Sequence, residues 1–280
     1  MGTIKRMTSS EAILTAENIT YLVPGSSHKT PILKNLTFSI KKGEFCVLIG
    51  KNGSGKTSLC QILAGLLKPA SGEVSLRQGT LPTDAAREPH NREGFHEPCL
   101  PRTNGVAGKV AAYLDDPDAQ LIGRTVEEDV SFGPKNLGSY RKETVEELLA
   151  LLNLAELRDS NPSELSAGEK VRVIIASLLA MRPCFLILDE PTSFLDPDER
   201  IRLGKILASL TKAGEIGVLL STQYPSDIFL GERVLLLDQG SIVLDANAHA
   251  FLEKLGDHSS LGITREELFP FLADLEGAPI

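Results

Sequence analysis

The 280-residue chain lacks an excess of positive charge and a long apolar run. Its 37 acidic residues outnumber its 29 basic ones, and the formal charge of -8 argues against a nucleic-acid partner. No apolar run approaches the roughly 18 residues that a membrane span requires, and the opening MGTIKRMTSSE has no signal-peptide core. We therefore expect a soluble, cytosolic protein that reaches a membrane only through a partner.

Cysteine is also scarce and widely scattered, which argues against a disulfide framework. We interpret the four residues as small thiols of a reducing compartment: Cys46, Cys60, Cys99 and Cys184. The segment 78–108 is dense in proline, glycine and charge, and predicts a long surface loop. His90, His96 and Cys99 lie in it, but a metal site there would need a fourth ligand, so a plain loop is the favoured interpretation.

Strand and helix patterns alternate along the chain. ILKNLTFSIKKGEFCVLIG alternates apolar and polar residues around a turn at Lys42-Gly43 and predicts a hairpin. RKETVEELLALLNL and GEKVRVIIASLLAM predict helices, and CFLILDE predicts a buried strand. Strands that alternate with helices indicate an α/β fold with a largely parallel sheet.

The strongest motif is LIGKNGSGKTSL, which fits G-x-x-x-x-G-K-[ST] between an apolar strand and a helix. Glycines allow the backbone N–H groups to curl around an anion, and the following helix adds its positive end. Lys56 would reach the β- and γ-phosphates of a nucleotide, and Thr57 would bind Mg²⁺. The predicted nucleotide-binding residues of the loop are Gly50, Lys51, Asn52, Gly53, Ser54, Gly55, Lys56, Thr57 and Ser58.

A second strand, FLILDEP, ends in two carboxylates before Pro191. Buried acids at a strand end need a cation or a proton to accept. Asp189 suits the coordination shell of Mg²⁺, and Glu190 can polarise a water for attack on the γ-phosphate. Acids often end strands, so this pair alone is a weak signal. Its occurrence together with the phosphate loop makes it a strong one.

ELSAGEKVRVIIASLLA has two interpretations. Ser166 followed by Glu169 is an ordinary capping box at a helix start. However, LSAGE stands just before the acidic strand and is similar to the LSGGQ signature of ABC transporter ATP-binding subunits, and SFLD at 193–196 is similar to their D-loop. The resemblance covers roughly residues 11 to 245.

This resemblance implies a P-loop NTPase (RecA-like) core with an antiparallel β subdomain and an inserted helical subdomain. It places the nucleotide-binding domain at 1–245, the helical subdomain at about 115–183 and a C-terminal extension at 246–280. Two such subunits sandwich ATP head to tail. The SFLD match implies that Asp196 belongs to the D-loop. The signature would complete the partner's site; its residues are Ser166, Ala167, Gly168 and Glu169. Glu169 replaces a glutamine and brings negative charge near the partner's phosphates.

A narrower resemblance lies in DPDAQLIGRTVEEDVSFGPKNLG, which is similar to a stretch of the energy-coupling factor (ECF) subgroup that imports vitamins or transition-metal ions. It implies a homo- or heterodimer on a transmembrane coupling subunit with a separate substrate-binding membrane protein, peripheral on the inner face of the membrane. Glu127, Glu128 and Asp129 would then bind arginines of the membrane partner. The alternative is a solvated helix start, where acids are favoured.

Three positions depart from the family. Asp115 stands where a glutamine is usual, and we predict that it contributes to the Mg²⁺ site. Val23 stands at the usual adenine-stacking position, whereas Tyr21 lies on the same strand face, so either could contact the base. In IGVLLSTQYPSD, Gln223 occupies the place of the family's switch histidine, and we expect its amide to point at the γ-phosphate.

Together these features predict an ATPase that binds ATP and Mg²⁺ and powers an ECF-like importer, with Glu190 and Gln223 as catalytic residues. The alternative is a regulatory or dimerisation subunit with a degenerate, slow site. A DNA-repair or translation ATPase is disfavoured by the acidic charge, the single phosphate loop and the absence of a coiled-coil insertion.

Overall fold

The computed structural model describes residues 12–23, 30–78, 108–114 and 116–255. Nine strands are present in this part of the chain: β1 (Ala12–Tyr21), β2 (Leu33–Lys41), β3 (Phe45–Ile49), β4 (Ser71–Gln78), β5 (Val110–Tyr113), β6 (Phe185–Asp189), β7 (Gly217–Thr222), β8 (Arg233–Asp238) and β9 (Ser241–Ala246). Its α-helices are α1 (Lys56–Leu63), α2 (Val126–Asn136), α3 (Lys142–Leu151), α4 (Ala167–Ala180), α5 (Pro197–Lys212) and α6 (Ala248–Leu255).

The larger sheet has six strands in the order β5-β6-β7-β3-β8-β9. The first five run parallel, and β9 pairs antiparallel with β8. Every residue of β3, β6 and β7 is buried, as expected for parallel strands that are covered on both faces. The predicted α/β fold with a largely parallel sheet is confirmed.

The smaller sheet is antiparallel, in the order β2-β1-β4. The predicted hairpin of β2 and β3 is wrong, because Ile40 of β2 pairs with Leu14 of β1, whereas Val47 of β3 pairs with Leu220 of β7. A tight turn is present at Gly43, whose φ of 88° favours glycine. After that turn the chain moves from one sheet to the other, because the apolar run of β3 completes the buried parallel sheet.

Helices α2, α3 and α4 follow β5 and pack against one another before the chain enters β6. Their apolar side chains, such as Val130 and Leu149, share one core with the sheet. After β9, α6 buries Phe251 against Ile49 and Val234, so the chain beyond residue 246 begins inside the folded core. The division into a domain at 1–245, a helical subdomain at 115–183 and an extension at 246–280 stays a prediction.

The parallel strands bring three sequence motifs to one edge of the large sheet. Ile49 pairs with Thr222, and Asp189 pairs with Ser221, so β3, β6 and β7 end side by side. The carboxyl edge of a parallel sheet is the usual place for ligand binding in α/β folds. Among the described residues no helix has the length and apolar character to cross a membrane, and no group of acidic, histidine and cysteine side chains forms a metal cluster.

Candidate nucleotide site

The loop between β3 and α1 requires glycine at several positions, because of close backbone contacts and positive φ angles. A Cβ at Gly50 would lie 2.3 Å from the carbonyl oxygen of Leu237 on β8. Gly53 and Gly55 have φ of 80° and 108°, in the left-handed region that side chains disfavour. Gly55 is also the N-cap of α1, so the loop leads directly into the positive end of that helix.

Lys56, the first residue of α1, is a buried cation at 4 % exposure. Its Nζ donates a hydrogen bond to the Gly50 carbonyl at 2.8 Å and lies 3.1 Å from Oε1 of Glu190. A buried ammonium is costly unless it is paired and hydrogen-bonded. The buried ammonium therefore requires an anionic partner, and in this structure that partner is the Glu190 carboxylate.

The two acids at the end of β6 have different surroundings. Asp189 is 1 % exposed, and its Oδ1 accepts a hydrogen bond from the Ser221 hydroxyl at 2.8 Å. Glu190 has a left-handed backbone (φ 53°, ψ 38°) and donates its N–H to the Ser221 carbonyl. A glutamate in this region is uncommon and typically costs about 1 kcal/mol or more. The turn thereby separates the two carboxylates, with one inside the sheet edge and one facing Lys56.

A cavity of about 630 Å³ lies above this edge. The loop and both acids contribute to its wall: Asn52, Gly53, Gly55, Lys56, Thr57, Ser58, Asp189 and Glu190. Ser54 is buried beneath the loop, and its hydroxyl finds no hydrogen-bond partner in the described part of the chain. The structure therefore brings the phosphate loop and the acid pair together, as their motifs predicted. Asp115, the other predicted Mg²⁺ ligand, lies outside the described residues.

The prediction that Tyr21 contacts the base is wrong for this structure. Tyr21 is 7 % exposed and packs in the core between the sheets, because β1 turns that face towards the larger sheet. The remaining cavity wall comes from residues that sequence reasoning missed: Thr30, Pro31, Ile32, Lys34 and Gln239.

Gln239 reaches the cavity because the β8–β9 turn packs on the phosphate loop. Gly240 donates its N–H to the Ser54 carbonyl at 3.1 Å and accepts the N–H of Lys34 at 2.8 Å. A Cβ at Gly240 would lie 2.0 Å from the Ile32 carbonyl, so only glycine allows this approach. The letters DQGS signal a turn between strands, but they do not reveal what the turn contacts.

Gln223 follows β7 directly, at the same sheet edge as the acids. Its side chain is exposed, and the residue does not contribute to the cavity wall. The expectation that its amide points at the γ-phosphate is therefore not met by this arrangement, and that role stays a proposal.

The signature residues form the capping box. The Ser166 hydroxyl donates to Oε2 of Glu169 at 2.7 Å, and the Glu169 N–H donates back to that hydroxyl at 3.3 Å. The bonds from the Ser166 hydroxyl and N–H lower the pKa of Glu169, which keeps its negative charge in place. None of residues 166–169 contributes to the cavity wall, and Ser166 is exposed.

The signature is packed against the D-loop. A Cβ at Gly168 would lie 2.7 Å from Oε2 of Glu199 and 3.3 Å from Leu195, so its glycine permits close approach. Asp196 caps α5 by accepting the Glu199 N–H at 2.9 Å. The two motifs thus pack against each other, and neither contributes a residue to the cavity wall.

The three acids that start α2 do not form one exposed cluster. Asp129 is 3 % exposed, and its Oδ1 accepts the N–H groups of Ile122 and Gly123 at 2.8 Å. It is therefore not available to an arginine of a partner, which corrects the prediction for this residue. Glu127 forms a bidentate pair with Arg158 at 2.6 and 2.7 Å, which lowers the pKa of Glu127. Of the three acids, Glu128 is the exposed one.

A family model described as ABC transporter matches residues 33–193, which is more than half of the chain. The chain belongs to the ABC transporter family. Among its relatives, the energy-coupling factor transporter ATP-binding protein EcfA1 of Caldanaerobacter subterraneus subsp. tengcongensis is 32 % identical over 255 residues, which cover 90 % of this chain and 86 % of that protein. The cobalt import ATP-binding protein CbiO of Syntrophus aciditrophicus is 37 % identical over 217 residues, which cover 76 % and 71 %.

The solved structure of cbiO1 from Clostridium perfringens, described as part of the ABC transporter complex cbiONQ, superposes with a TM-score of 0.68 at 30 % identity. The match covers 86 % of this chain and 91 % of that one. The ABC family member described here thus has the predicted cassette fold. It is an ATP-binding, ATP-hydrolysing subunit, and its relatives are components of transporter complexes.

Proposed function

We propose that this subunit hydrolyses Mg·ATP in the cavity at the carboxyl edge of the large sheet and thereby powers an importer of the ECF type. The observation that carries the proposal is the convergence of Lys56, Asp189 and Glu190 on one cavity beside the phosphate loop. Relatives named for energy-coupling factor transport and cobalt import support the class of transporter. Its cargo would be a vitamin or a transition-metal ion.

The donor set fits Mg²⁺. The buried Asp189 carboxylate and the Thr57 hydroxyl are oxygen ligands of the kind that the ion prefers, and both residues contribute to the cavity wall. The bound ion would neutralise part of the charge on the nucleotide's phosphates. Ser221 orients Asp189 through the 2.8 Å hydrogen bond to its Oδ1.

Lys56 and Glu190 would act in sequence. The phosphates of ATP compete with Glu190 for the Lys56 ammonium, because both are anions and the ammonium is buried beside the cavity. Once Lys56 binds phosphate, the Glu190 carboxylate is free to accept a proton from the attacking water. The ion pair in this structure therefore keeps the base occupied until nucleotide is present.

The assembly we propose is a homo- or heterodimer in which Ser166 and Gly168 complete the site of the second subunit. Both lie outside their own cavity, and Ser166 is exposed at the start of α4. The start of α4 would suit an anion of the second subunit once the Ser166 hydroxyl turns away from the Glu169 carboxylate. The dimer would dock on a transmembrane coupling subunit that works with a separate substrate-binding membrane protein, on the cytoplasmic face of the membrane.

Gln223→His is expected to raise the rate of hydrolysis at neutral pH by roughly ten- to thirtyfold, because an imidazole can donate to the γ-phosphate and exchange a proton. The measurement is single-turnover phosphate release from the full-length subunit. Glu190→Gln in the same background should remove the gain, since the water would lose its base. A rate that stays flat or falls would mean that glutamine is the proper residue of this site.

Glu128→Lys is expected to weaken assembly with the membrane subunit while leaving ATP affinity unchanged. Glu128 is exposed and Glu127 is paired with Arg158, so this single change tests docking without breaking that ion pair. Glu143→Lys, an exposed acid in the first turn of α3, is the matched control for charge. Equal recovery of the complex from both variants in a pull-down would remove the docking role.

The second candidate function is a regulatory subunit that binds ATP as a dimer contact with little turnover. The specific observation in its favour is Gln223, which replaces a titratable residue and lies outside the cavity wall. Steady-state phosphate release by the purified complex separates the two functions.

A further inference from the structure

A buried carboxylate stands between the turns that carry Glu190 and Gln223. Asp227 is 2 % exposed and belongs to the helical turn Pro225–Leu230. Its Oδ2 accepts hydrogen bonds from the hydroxyls of Thr192 at 2.7 Å and Thr222 at 2.6 Å. Thr192 is two residues after Glu190, and Thr222 immediately precedes Gln223. One oxygen atom therefore joins the two turns.

The same carboxylate closes a small ring around Gln223. The Thr222 hydroxyl accepts the N–H of Tyr224 at 3.0 Å, and Asp227 donates its N–H to the Tyr224 carbonyl at 3.1 Å. Both ends of the segment 222–227 are thus held together by hydrogen bonds on either side of Gln223. The Asp227 carboxylate contributes to this ring by accepting the Thr222 hydroxyl, directly before Gln223.

A second connection runs through Arg200 of α5. Its guanidinium lies 3.8 Å from the centre of the Tyr224 ring, and its Nε donates to the Leu195 carbonyl at 3.2 Å. Leu195 precedes the D-loop residue Asp196. The turn that carries Gln223 is therefore joined to the chain after Glu190 at two separate points.

Burial of the Asp227 carboxylate costs folding stability, so packing alone does not explain this residue. Burial raises the pKa of its carboxyl, against the opposing effects of the Thr222 and Thr192 hydroxyls and the charge of Arg200. A buried carboxylate whose direct partners are neutral hydroxyls costs stability that an apolar residue would not. Groups of this kind tend to lie at functional sites.

We propose that Asp227 is a positioning residue that makes the Glu190 turn and the Gln223 turn one mechanical unit. The turn of the water-polarising carboxylate and the turn that carries Gln223 would then move together when nucleotide binds. This inference rests on the proposed function, because only ATP hydrolysis gives the two turns a shared reaction. A role in stability alone is the competing explanation.

Thr192→Val removes the link to the Glu190 turn while leaving the ring around Gln223 in place. We expect kcat for ATP to fall by about tenfold with KM unchanged, because a small misplacement of catalytic groups affects the transition state. Thr192→Ser keeps the hydroxyl and should restore the rate. The matched control is Thr211→Val, since Thr211 is 1 % exposed and its hydroxyl donates within α5, to the Ala208 carbonyl.

The decisive readout is a double-mutant cycle on kcat with Gln223→Ala, measured on the full-length subunit in its assembled transporter. If Asp227 acts through Gln223, Thr192→Val should have little further effect once the amide is gone. Additive losses, or a wild-type kcat in Thr192→Val, would overturn the inference. A stability role alone would lower the melting temperature without altering kcat well below it.

Thr222→Val gives a second test if Thr192→Val fails to fold. It releases the Gln223 turn from Asp227 and also removes the acceptor of the Tyr224 N–H, so its loss of kcat should be at least as large. Failure of the proposed function would look different. The unmodified complex would then release no phosphate above the level of Glu190→Gln, whatever the stability of the Thr192 variants.

Discussion

Lys56→Ala is expected to abolish ATP hydrolysis and to weaken ATP binding by about ten- to a hundredfold. The ammonium is 4 % exposed and is the charge that the phosphate loop holds against the cavity. Charge-assisted hydrogen bonds of this kind contribute roughly 1.5–3 kcal/mol each, and the transferred phosphoryl group needs that charge most in the transition state. Isothermal calorimetry gives the affinity, and phosphate release gives the rate.

Lys68→Ala is the control for this substitution. Lys68 follows α1 but is exposed and does not contribute to the cavity wall, so its removal tests for a general loss of positive charge. We expect near-normal affinity in this variant. Unchanged affinity in Lys56→Ala would refute the assignment of the phosphate loop.

Glu190→Gln is expected to reduce turnover by at least about a hundredfold while ATP binding is kept or strengthened. The turnover is lost because an amide cannot accept the proton of the attacking water. Binding is kept because Lys56 no longer has to leave an ion pair at 3.1 Å before it meets the phosphates, and one negative charge is removed from the cavity wall.

Glu44→Gln is the matched control, because Glu44 is exposed to a similar extent, 18 % against 20 %, and pairs with Arg233 at 3.0 Å away from the cavity. It should bind and hydrolyse ATP normally. If Glu190→Gln binds ATP more weakly than the wild type, then the ion pair with Lys56 is not a competitor of the nucleotide.

The parts of the site that sequence reasoning placed well are local. The loop from Gly50 to Thr57 is one contiguous motif whose glycines and lysine together indicate a phosphate site. Asp189 ends a buried apolar strand, and such a strand is expected in the same parallel sheet. The parallel arrangement then brings both to one edge without further information. Local chemistry and a simple topology were enough for these residues.

The errors arose where tertiary contacts decide the outcome. A hairpin pattern at β2 and β3 cannot show that β3 has better neighbours in another sheet. The face of β1 that Tyr21 occupies depends on which side the second sheet covers. Asp129 fits an acidic helix start equally well when buried or exposed, and only the approach of the 122–123 backbone decides between them.

Asp227 and Gln239 were missed for a related reason. Each lies in a short turn after a strand, and nothing within its own segment shows that it meets residues distant in the chain. Asp227 contacts Thr192, 35 residues earlier, and the turn of Gln239 packs on the phosphate loop. Such contacts follow from strand order, which the sequence does not state.

Steady-state phosphate release by the full-length subunit, purified with its transporter partners, decides whether this chain turns over ATP. We expect a slow but measurable rate that requires Mg²⁺, is lost in Glu190→Gln and rises in Gln223→His. Stable binding of ATP without phosphate release above that of Glu190→Gln would contradict it and would make this chain a regulatory ATP-binding subunit.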